Sequence, residues 1–299
     1  MVEWIVSAGK IDEFALLKNA GASAVLIGTD FYSARAMSNL SIKDYPKAKQ
    51  EAKRLGLSLY VLVNRMFVES ELEALRSHLM FLKELDVDGI YYGDEGVLYE
   101  AMELGIEQKL IYNPDTLLTN SSDVNYYLNE GIQFVSLAKE ITLEEIGMIA
   151  KHSDPSRVEL FIHGRENIMH SKRYLLSSYM EYLGKDHDLH NRHDITIIEA
   201  KREEPMPILE DDLGTHVFSA FTLVSFEEIN DLIDMGYCRF RIDGIFHDVN
   251  WVCEALSCYQ DVVNHRVKER DALKKYRSEH IEDHVGSGFY YKKTGLHKG

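Results

Sequence analysis

The stretch "KRLGLSLYVLVN" at residues 53–64 contains the pattern that decides the fold. Gly56 follows a basic, helix-like segment, and glycine is common just after a helix because it adopts a left-handed conformation without strain. The apolar, β-branched run after it is typical of a buried strand in a parallel sheet. The stretch therefore predicts a helix that ends at glycine and leads into a strand, as in a wound α/β protein.

The same joint recurs along the chain, in "KNAGAS", "MELGIE", "LNEGIQ" and "IDMGYC". Between the joints lie amphipathic segments such as residues 71–86, where leucine repeats at steps of three and four and marks one buried helical face. Eight strands without an obvious edge strand favour a closed α/β barrel, the (β/α)8 fold of the TIM type, over an open sheet. They are predicted near residues 2–7, 23–28, 57–64, 87–93, 109–113, 132–137, 158–163 and 238–243.

The regular spacing ends after the seventh predicted strand. Roughly seventy residues separate Gly164 from the last strand, which is far more than one crossover needs. We therefore predict a barrel domain over residues 1–265 with an insertion at about 165–225, where a small ribbon or loop covers the barrel mouth. Residues 266–299 carry nine Lys or Arg against five Asp or Glu, and we expect a charged helix followed by a flexible end.

Composition narrows the class of protein. The 33 basic and 49 acidic residues give a formal net charge of −16, so a nucleic-acid partner would have to bind a local basic patch. The N-terminus shows no secretory signal and no apolar run is long enough for a membrane span. The three cysteines form no CxxC pair, which favours a reduced compartment. We expect a cytoplasmic protein with no membrane partner.

Polar residues follow the predicted strands at the end where barrel enzymes place their active sites. Each one alone also fits a turn former, so their convergence matters more than any single member. The candidates for substrate binding at these ends are Asn64, Asp94, Asn113, Glu140, Arg165, Arg241 and Asp243.

His163 stands directly after the seventh strand and before Gly164 and Arg165. A histidine there can carry a proton near neutral pH, so it is the catalytic candidate, although a buried and hydrogen-bonded histidine is the alternative. Lys172 and Arg173 follow closely and could hold a phosphate or a carboxylate, as could any exposed pair of cations.

Common catalytic signatures are missing from the chain. His187, His190 and His193 suggest a metal site, but no HExxH arrangement or cysteine-rich partner set accompanies them, so we predict no metal. A GxSxG elbow, a P-loop and a GxGxxG after a strand are also missing.

The segment "ELFIHGRENIMHSKRYLLS" at residues 159–177 resembles the signature of peptidase family U32, the collagenase-like putative peptidases. That signature reads approximately Glu-x-Phe-x-His-Gly-x-x-Cys, followed by Ser, a second Cys and a closing Ser. The resemblance extends through "SAVLIGTDFYSAR", "IYNPDTLLTN" and "EDDLGTHVFS" and covers most of residues 1–250. The matching signature residues are Glu159, Phe161, His163, Gly164, Ser171 and Ser177.

The resemblance implies a function in tRNA modification, because the better understood relatives help to hydroxylate the wobble uridine. It adds Glu159 and His216 to the substrate-binding candidates and makes tRNA a candidate partner. Relatives of this kind commonly hold an iron–sulfur cluster through four cysteines. Here Asn167, Tyr174 and about Val224 stand at three of those positions, and neither an amide nor a phenol replaces a thiolate, so we predict no cluster.

Two alternatives stay open at this point. Relatives often work as two related chains, so this chain could be a non-catalytic partner of a cluster-bearing homologue. The family name instead implies a peptidase, but the sequence offers no recognisable nucleophile and base for that reaction.

Overall fold

Eight parallel strands close into a barrel in the computed structural model, which describes residues 2–185, 187–200 and 204–292. Neighbouring strands pair in the order β1, β2, β4, β5, β6, β7, β8 and β12, and β12 pairs again with β1. This confirms the (β/α)8 prediction. The strands are β1 (Glu3–Ser7), β2 (Ala24–Thr29), β3 (Asn39–Leu40), β4 (Ser58–Val63), β5 (Gly89–Tyr92), β6 (Leu110–Tyr112), β7 (Phe134–Ser136), β8 (Val158–Ser171), β9 (Thr196–Ile197), β10 (Met206–Asp211), β11 (Gly214–Val224) and β12 (Arg239–Ile242).

Helices surround the barrel and follow its strands in the chain. The helices are α1 (Phe14–Asn19), α2 (Tyr45–Leu55), α3 (Leu72–Leu85), α4 (Glu95–Glu103), α5 (Ser121–Asn129), α6 (Leu143–His152), α7 (Leu175–Tyr182), α8 (Ile229–Asp234), α9 (Val249–Val263) and α10 (Glu269–Glu279). Single turns of 3-10 helix lie at Ile11–Glu13, Ile42–Asp44, Glu69–Glu71, Glu107–Lys109, Pro155–Arg157 and Ile281–Asp283.

The leucine spacing of α3 produces the expected packing. Leu75, Leu79 and Leu82 are completely buried against the barrel, because steps of three and four residues place them on one helical face. The predicted glycine joints also form as expected, and Gly56 ends α2 in the left-handed conformation. Positive φ angles occur at all five joint glycines: Gly21, Gly56, Gly105, Gly131 and Gly236.

The barrel interior contains charge as well as apolar side chains. The Glu159 side chain is completely buried, accepts a hydrogen bond from the Tyr91 hydroxyl and lies 3.8 Å from Nε of Arg241. Arg239 pairs with Glu3 near the other end of the barrel, and its guanidinium lies 3.4 Å from the Phe134 ring centroid. Buried charges need such partners, because an isolated one would be strongly destabilising.

β8 changes strand partners along its length. Its first half pairs in parallel with β7 and β12, and its second half pairs antiparallel with β11. The prediction that the seventh strand ends near His163 is wrong, because β11 supplies the backbone partners of a sequence too polar to form a core strand alone. We call residues 165–171 together with β9, β10 and β11 the ribbon; it forms within the predicted insertion.

A β-bulge separates the two halves of β8. Phe161 pairs with Arg241 but His163 pairs with Ile242, so one extra residue lies on β8. The bulge reverses the side-chain direction, since Phe161 contacts the mouth whereas His163 packs against α9 and α10. Gly164 follows with φ +132°, and a Cβ there would lie 2.5 Å from the backbone oxygen of Asp243.

The described part of the C-terminal segment packs on the barrel. The Tyr276 hydroxyl of α10 lies 3.0 Å from Nε2 of His163, and Tyr290 is buried. The proposed domain boundary at residue 265 stays a prediction, and residues 293–299 of the predicted flexible end lie outside the described residues.

We expect Gly164→Ala to lower the free energy of unfolding by roughly 3 kcal/mol or more, because the bulge requires a positive φ and leaves no room for Cβ. The control is Gly56→Ala, where φ is +65° and no atom lies within 4 Å of the added Cβ; it should cost only about 1–2 kcal/mol. Chemical denaturation of both variants measures the difference. Equal losses would show that the bulge is not the constraint described here.

Candidate functional site

The carboxyl ends of the barrel strands surround a small cavity of about 30 Å³ beneath the ribbon. Its walls are mostly polar and charged, unlike the apolar layer deeper in the barrel. Parallel strands bring their carboxyl ends to one side of a barrel, which explains how residues so distant in the chain meet. We call the polar lining the mouth cluster: Arg35, Asn64, Asn113, Asp115, Lys139, Arg165, Asn167, Arg241 and Asp243.

A wider cleft of about 380 Å³ adjoins the mouth cluster. It shares Arg35, Asn64 and Asp115 with the cavity, and its outer wall includes Met66 and His170. We call it the mouth cleft. Its volume lies within the range of small-molecule sites. Because the two cavities share these residues, a molecule bound in the cleft would lie next to the mouth cluster.

Asp115 is the electrostatic centre of the mouth cluster. Its carboxylate lies 2.8 Å from Nη2 of Arg35 and 3.0 Å from Nζ of Lys139. Burial opposes ionisation, but the attraction of Lys139 and Arg35 outweighs it and holds the pKa of Asp115 well below its ordinary value of 3.8. Asp115 therefore stays ionised and fixes both cations at the mouth.

The mouth cluster has an excess of positive charge. Four cations, Arg35, Lys139, Arg165 and Arg241, face two carboxylates, Asp115 and Asp243. The cluster can therefore attract an anionic group although the whole chain carries −16. Nη1 of Arg165 donates a 2.8 Å hydrogen bond to the backbone oxygen of Ser219, which ties the ribbon to the mouth.

The structure brings five of the predicted substrate-binding residues together in the mouth cluster. These are Asn64, Asn113, Arg165, Arg241 and Asp243.

The other predicted substrate-binding residues lie elsewhere. Asp94 caps α4 and accepts 2.8 Å hydrogen bonds from the backbone N–H groups of Phe67 and Gly96. Glu159 lies in the barrel interior, and Glu140 is not among the lining residues of the mouth cavity or cleft. The remaining three lie on the ribbon or just after it: Lys172 and Arg173 are exposed and His216 is buried.

His163 is completely buried outside the mouth cluster. Its Nε2 lies 3.0 Å from the Tyr276 hydroxyl and its Nδ1 lies 3.3 Å from the Tyr259 hydroxyl. Burial holds its pKa well below the ordinary value of 6.5, so the ring is neutral. This geometry favours the alternative of a buried, hydrogen-bonded histidine, and the catalytic role of His163 stays a prediction.

Four residues of the mouth cluster were not among the predicted site residues: Arg35, Asp115, Lys139 and Asn167. Lys139 does stand beside Glu140 after a strand, so its position carried a usable signal. Arg35 and Asp115 lie farther along their loops and have left-handed φ angles of 57° and 64°. Non-glycine residues seldom adopt that conformation, so sequence alone gave no sign that these side chains turn back to the mouth.

A larger cleft, about 820 Å³, lies away from the mouth cluster and shares no residue with it. Phe221 and Phe289 line it, and the buried Glu166 borders it. Burial raises the pKa of Glu166 to about 7. We place the candidate site at the mouth cluster despite the smaller volume, because the polar strand ends converge there.

The residues at the expected cluster-ligand positions do not fit an iron–sulfur cluster. The Asn167 amide donates to the backbone oxygens of Met169 and Val217, and the Tyr174 hydroxyl lies 3.3 Å from the backbone oxygen of Asp212. Val224 is a buried aliphatic residue. None of these side chains supplies the thiolate that such clusters use.

The described residues contain neither a group of metal ligands nor a membrane-spanning helix. Within residues 2–185, 187–200 and 204–292, no three His, Cys, Asp or Glu side chains group as metal ligands. Nε2 of His190 pairs instead with Asp212 at 3.0 Å, and His193 packs on the Phe246 ring. No helix in these ranges combines the length and apolar character of a membrane span.

We expect Asp115→Asn to lower the free energy of unfolding at pH 7 by about 3–5 kcal/mol, because it leaves Arg35 and Lys139 without their shared counter-charge. The pKa of Asp115 is lower in the folded protein than in the unfolded chain. Its contribution to the free energy of unfolding is therefore present above pH 3.8 and is lost as the pH falls through the lowered pKa. The control Asp86→Asn removes a surface ion pair to Lys109 and should cost under about 1 kcal/mol. Denaturation at pH 7 tests both; a similar small loss for each variant would contradict the central role of Asp115.

Comparisons with known proteins now identify the family. The model of peptidase family U32 matches residues 9–298. The chain is 30% identical to tRNA hydroxylation protein P2 of Bacillus subtilis (strain 168), over 98% of each chain. It is 25% identical to tRNA hydroxylation protein P1 of the same organism, over 88% of this chain and 63% of that protein.

Among solved structures, the U32 peptidase Mk0906 superposes with a TM-score of 0.50 at 12% identity, covering 81% of this chain and 92% of that one. At this identity the likeness concerns the fold alone, and it agrees with the barrel described above. The family match, in contrast, spans nearly the whole sequence. The chain belongs to peptidase family U32.

Proposed function

We propose that this chain is a tRNA hydroxylation factor that takes part in forming 5-hydroxyuridine at the wobble position, with the mouth cleft as its substrate site. The observation that carries the proposal is the similarity to tRNA hydroxylation protein P2 along 98% of both chains. The aligned region is nearly the full length of both sequences.

The geometry of the mouth cleft supports a substrate of nucleotide size. Its volume of about 380 Å³ is at the lower end of the range for small-molecule sites. The Asn64, Asn113 and Asn167 amides border it. Asn64 bonds the Ala34 backbone and the Asn167 N–H groups bond Met169 and Val217, so the Asn113 amide and the Asn167 oxygen are the groups that a pyrimidine edge could use. The cations of the mouth cluster favour an accompanying phosphate or carboxylate.

Exposed cations near the cleft offer a contact for an RNA backbone. Nζ of Lys172 lies 3.4 Å from the backbone oxygen of Met66, a residue of the cleft wall, and the exposed Arg173 follows it. The overall charge of −16 opposes RNA binding, so these local cations would dominate it. Binding through them should weaken steeply as salt rises.

The same proposal assigns the chain no iron–sulfur cluster of its own. Asn167, Tyr174 and Val224 lack thiolates, and the free cysteines lie just before β12 and in α9. Redox chemistry at the substrate, if it occurs at this barrel, would then need a reductant or oxidant from elsewhere.

A partner role is the second candidate function. Bacillus subtilis has both a P1 and a P2 tRNA hydroxylation protein, and this chain resembles both. A chain without the sulfur ligands could bind tRNA while a cluster-bearing homologue carries out the reaction.

A peptidase role has less support. Among the hydrogen bonds of the described chain, no Ser or Cys side chain pairs with a His, so no nucleophile with its base can be identified.

We expect the protein purified without oxygen to contain far less than one iron and one sulfide per chain, because the expected ligand positions hold an amide, a phenol and an alkyl group. Colorimetric iron and sulfide assays on the freshly purified protein measure this. Stoichiometric iron and sulfide would overturn the cluster-free proposal.

Mass spectrometry of tRNA nucleosides tests the function. We expect cells lacking this gene to lose most 5-hydroxyuridine, and the intact gene to restore it. Lys139→Gln should restore it at least roughly tenfold less well, because this change removes a cation of the mouth cluster. The matched control is Lys109→Gln, where the lysine binds Asp86 and the Val87 backbone at the opposite end of the barrel.

The outcomes separate the candidate roles. Unchanged nucleosides in the deletion strain would overturn the proposed function. Full restoration by Lys139→Gln would show that the reaction does not require this cation of the mouth cluster, and would favour the partner role. His163→Gln, returned in parallel, should restore hydroxyuridine if that buried histidine is structural and the variant protein accumulates normally.

A further inference from the structure

Three side chains of the ribbon form a hydrogen-bonded row that ends at the mouth cleft. Oδ1 of Asp211 on β10 lies 3.3 Å from Nε2 of His216 on β11. Nδ1 of His216 lies 3.0 Å from Nδ1 of His170 on β8. His216 is completely buried, whereas His170 lines the mouth cleft. The row therefore connects the ribbon interior with the candidate substrate site.

With both histidines neutral, the row has only one arrangement of its protons. The ionised carboxylate of Asp211 can only accept hydrogen bonds, so Nε2 of His216 carries the hydrogen. Nδ1 of neutral His216 then has a lone pair, and His170 must donate to it from Nδ1. The remaining ring nitrogen of His170, Nε2, is left with a lone pair, and no hydrogen bond within the described chain occupies it.

Burial keeps His170 in this neutral form. It is the main cause that lowers the pKa of His170 to about 4, against the smaller opposing effects of Asp211 and Asp115. Burial raises the pKa of Asp211, but its contacts with His216 outweigh this and lower it, so the carboxylate stays ionised. At neutral pH, His170 therefore presents an acceptor nitrogen rather than a cation.

We propose that His170 is a catalytic residue that accepts a proton from the substrate in the mouth cleft, and that His216 and Asp211 are its positioning residues. The inference rests on the proposed function, and the substrate group it fits is an acidic N–H or O–H, such as the imide of a uracil ring. The role assigned to His170 is limited to proton transfer and does not include oxidation of the substrate.

The proton step balances within the row. The bond between the proton and the substrate atom breaks, its electron pair stays on the substrate, and a new N–H bond forms at Nε2 of His170. The Nδ1 proton of His170 can then pass to Nδ1 of His216. The positive charge is then on His216, next to the Asp211 carboxylate. This carboxylate stabilises the cation and so offsets the low basicity that His170 has alone.

His163 provides the contrast within the same strand. Both of its ring nitrogens face tyrosine hydroxyls and no part of it is exposed, as expected for a structural histidine. His170 has one nitrogen engaged by a positioned partner and its ring at the wall of a cleft. That is the arrangement in which a histidine can exchange protons with a bound molecule.

Nitrogen NMR of histidine-labelled protein tests the row without any activity. We expect His170 in the Nδ1–H form, which is the less common form of a free histidine, and His216 in the Nε2–H form. In His216→Phe, His170 should lose its acceptor and return to the Nε2–H form. A Nε2–H form of His170 in the unmodified protein would overturn the proposal, even if the protein proves to have another function.

Complementation tests the catalytic role. In a deletion strain whose hydroxyuridine the intact gene restores, His170→Gln should restore roughly a hundredfold less, and His216→Gln less than the intact gene. His193→Gln is the matched control on the same insertion, since that ring packs on Phe246 outside the row. Full restoration by a His170→Gln protein that accumulates normally would overturn the proposal while leaving the proposed function intact. Loss in His193→Gln as well would also count against it, because the effect would then reflect the insertion in general.

Discussion

The structure depends on one constraint, which is that β8 must satisfy its backbone hydrogen bonds first in the barrel and then in the ribbon. Its first half closes the barrel between β7 and β12, and its second half forms the ribbon with β11. A continuous strand would keep the side-chain alternation unchanged across the junction. The extra residue before His163 changes it, and the positive φ of Gly164 changes it again, so Arg165 does not share the face of His163 two residues earlier. Arg165 and Asn167 therefore face the mouth, while His163 and Glu166 face away from the mouth cluster.

Charge pairing then determines the shape of the mouth. Asp115 holds Arg35 and Lys139 from two different loops at distances of 2.8 and 3.0 Å. Below it, Glu159 offers a negative charge 3.8 Å from Nε of Arg241. Desolvated charges of this kind are tolerated only with partners, so the fold and the site rely on the same contacts. A substrate anion would bind to cations that the protein has already oriented, which reduces the entropy lost on binding.

Sequence reasoning reached the barrel because its signals are local. The glycine after α2 and the leucine period of α3 each reflect the conformation of a few neighbouring residues. Only about half of the site could be predicted, because the positions of its other residues do not depend on local sequence patterns. Asn113 and Arg241 lie at or near strand ends, where the fold alone directs them to the mouth. The left-handed backbone conformation of Arg35 directs its side chain to the mouth, and the bulge before His163 directs that side chain away from it. Neither conformation has a local sequence signal.

The ribbon binds the side chain that stands at one of the expected cluster-ligand positions. Asn167 occupies a signature cysteine position, and its amide donates 3.1 and 3.2 Å hydrogen bonds to backbone oxygens of the two strands. The bond to Val217 joins β8 to β11, whereas the bond to Met169 lies within β8. The amide therefore helps to hold the two strands of the ribbon together, and the row from Asp211 to His170 runs through the ribbon to the cleft. In this chain the segment that covers the mouth contributes charged and hydrogen-bonding side chains to its lining, Arg165 and Asn167 among them.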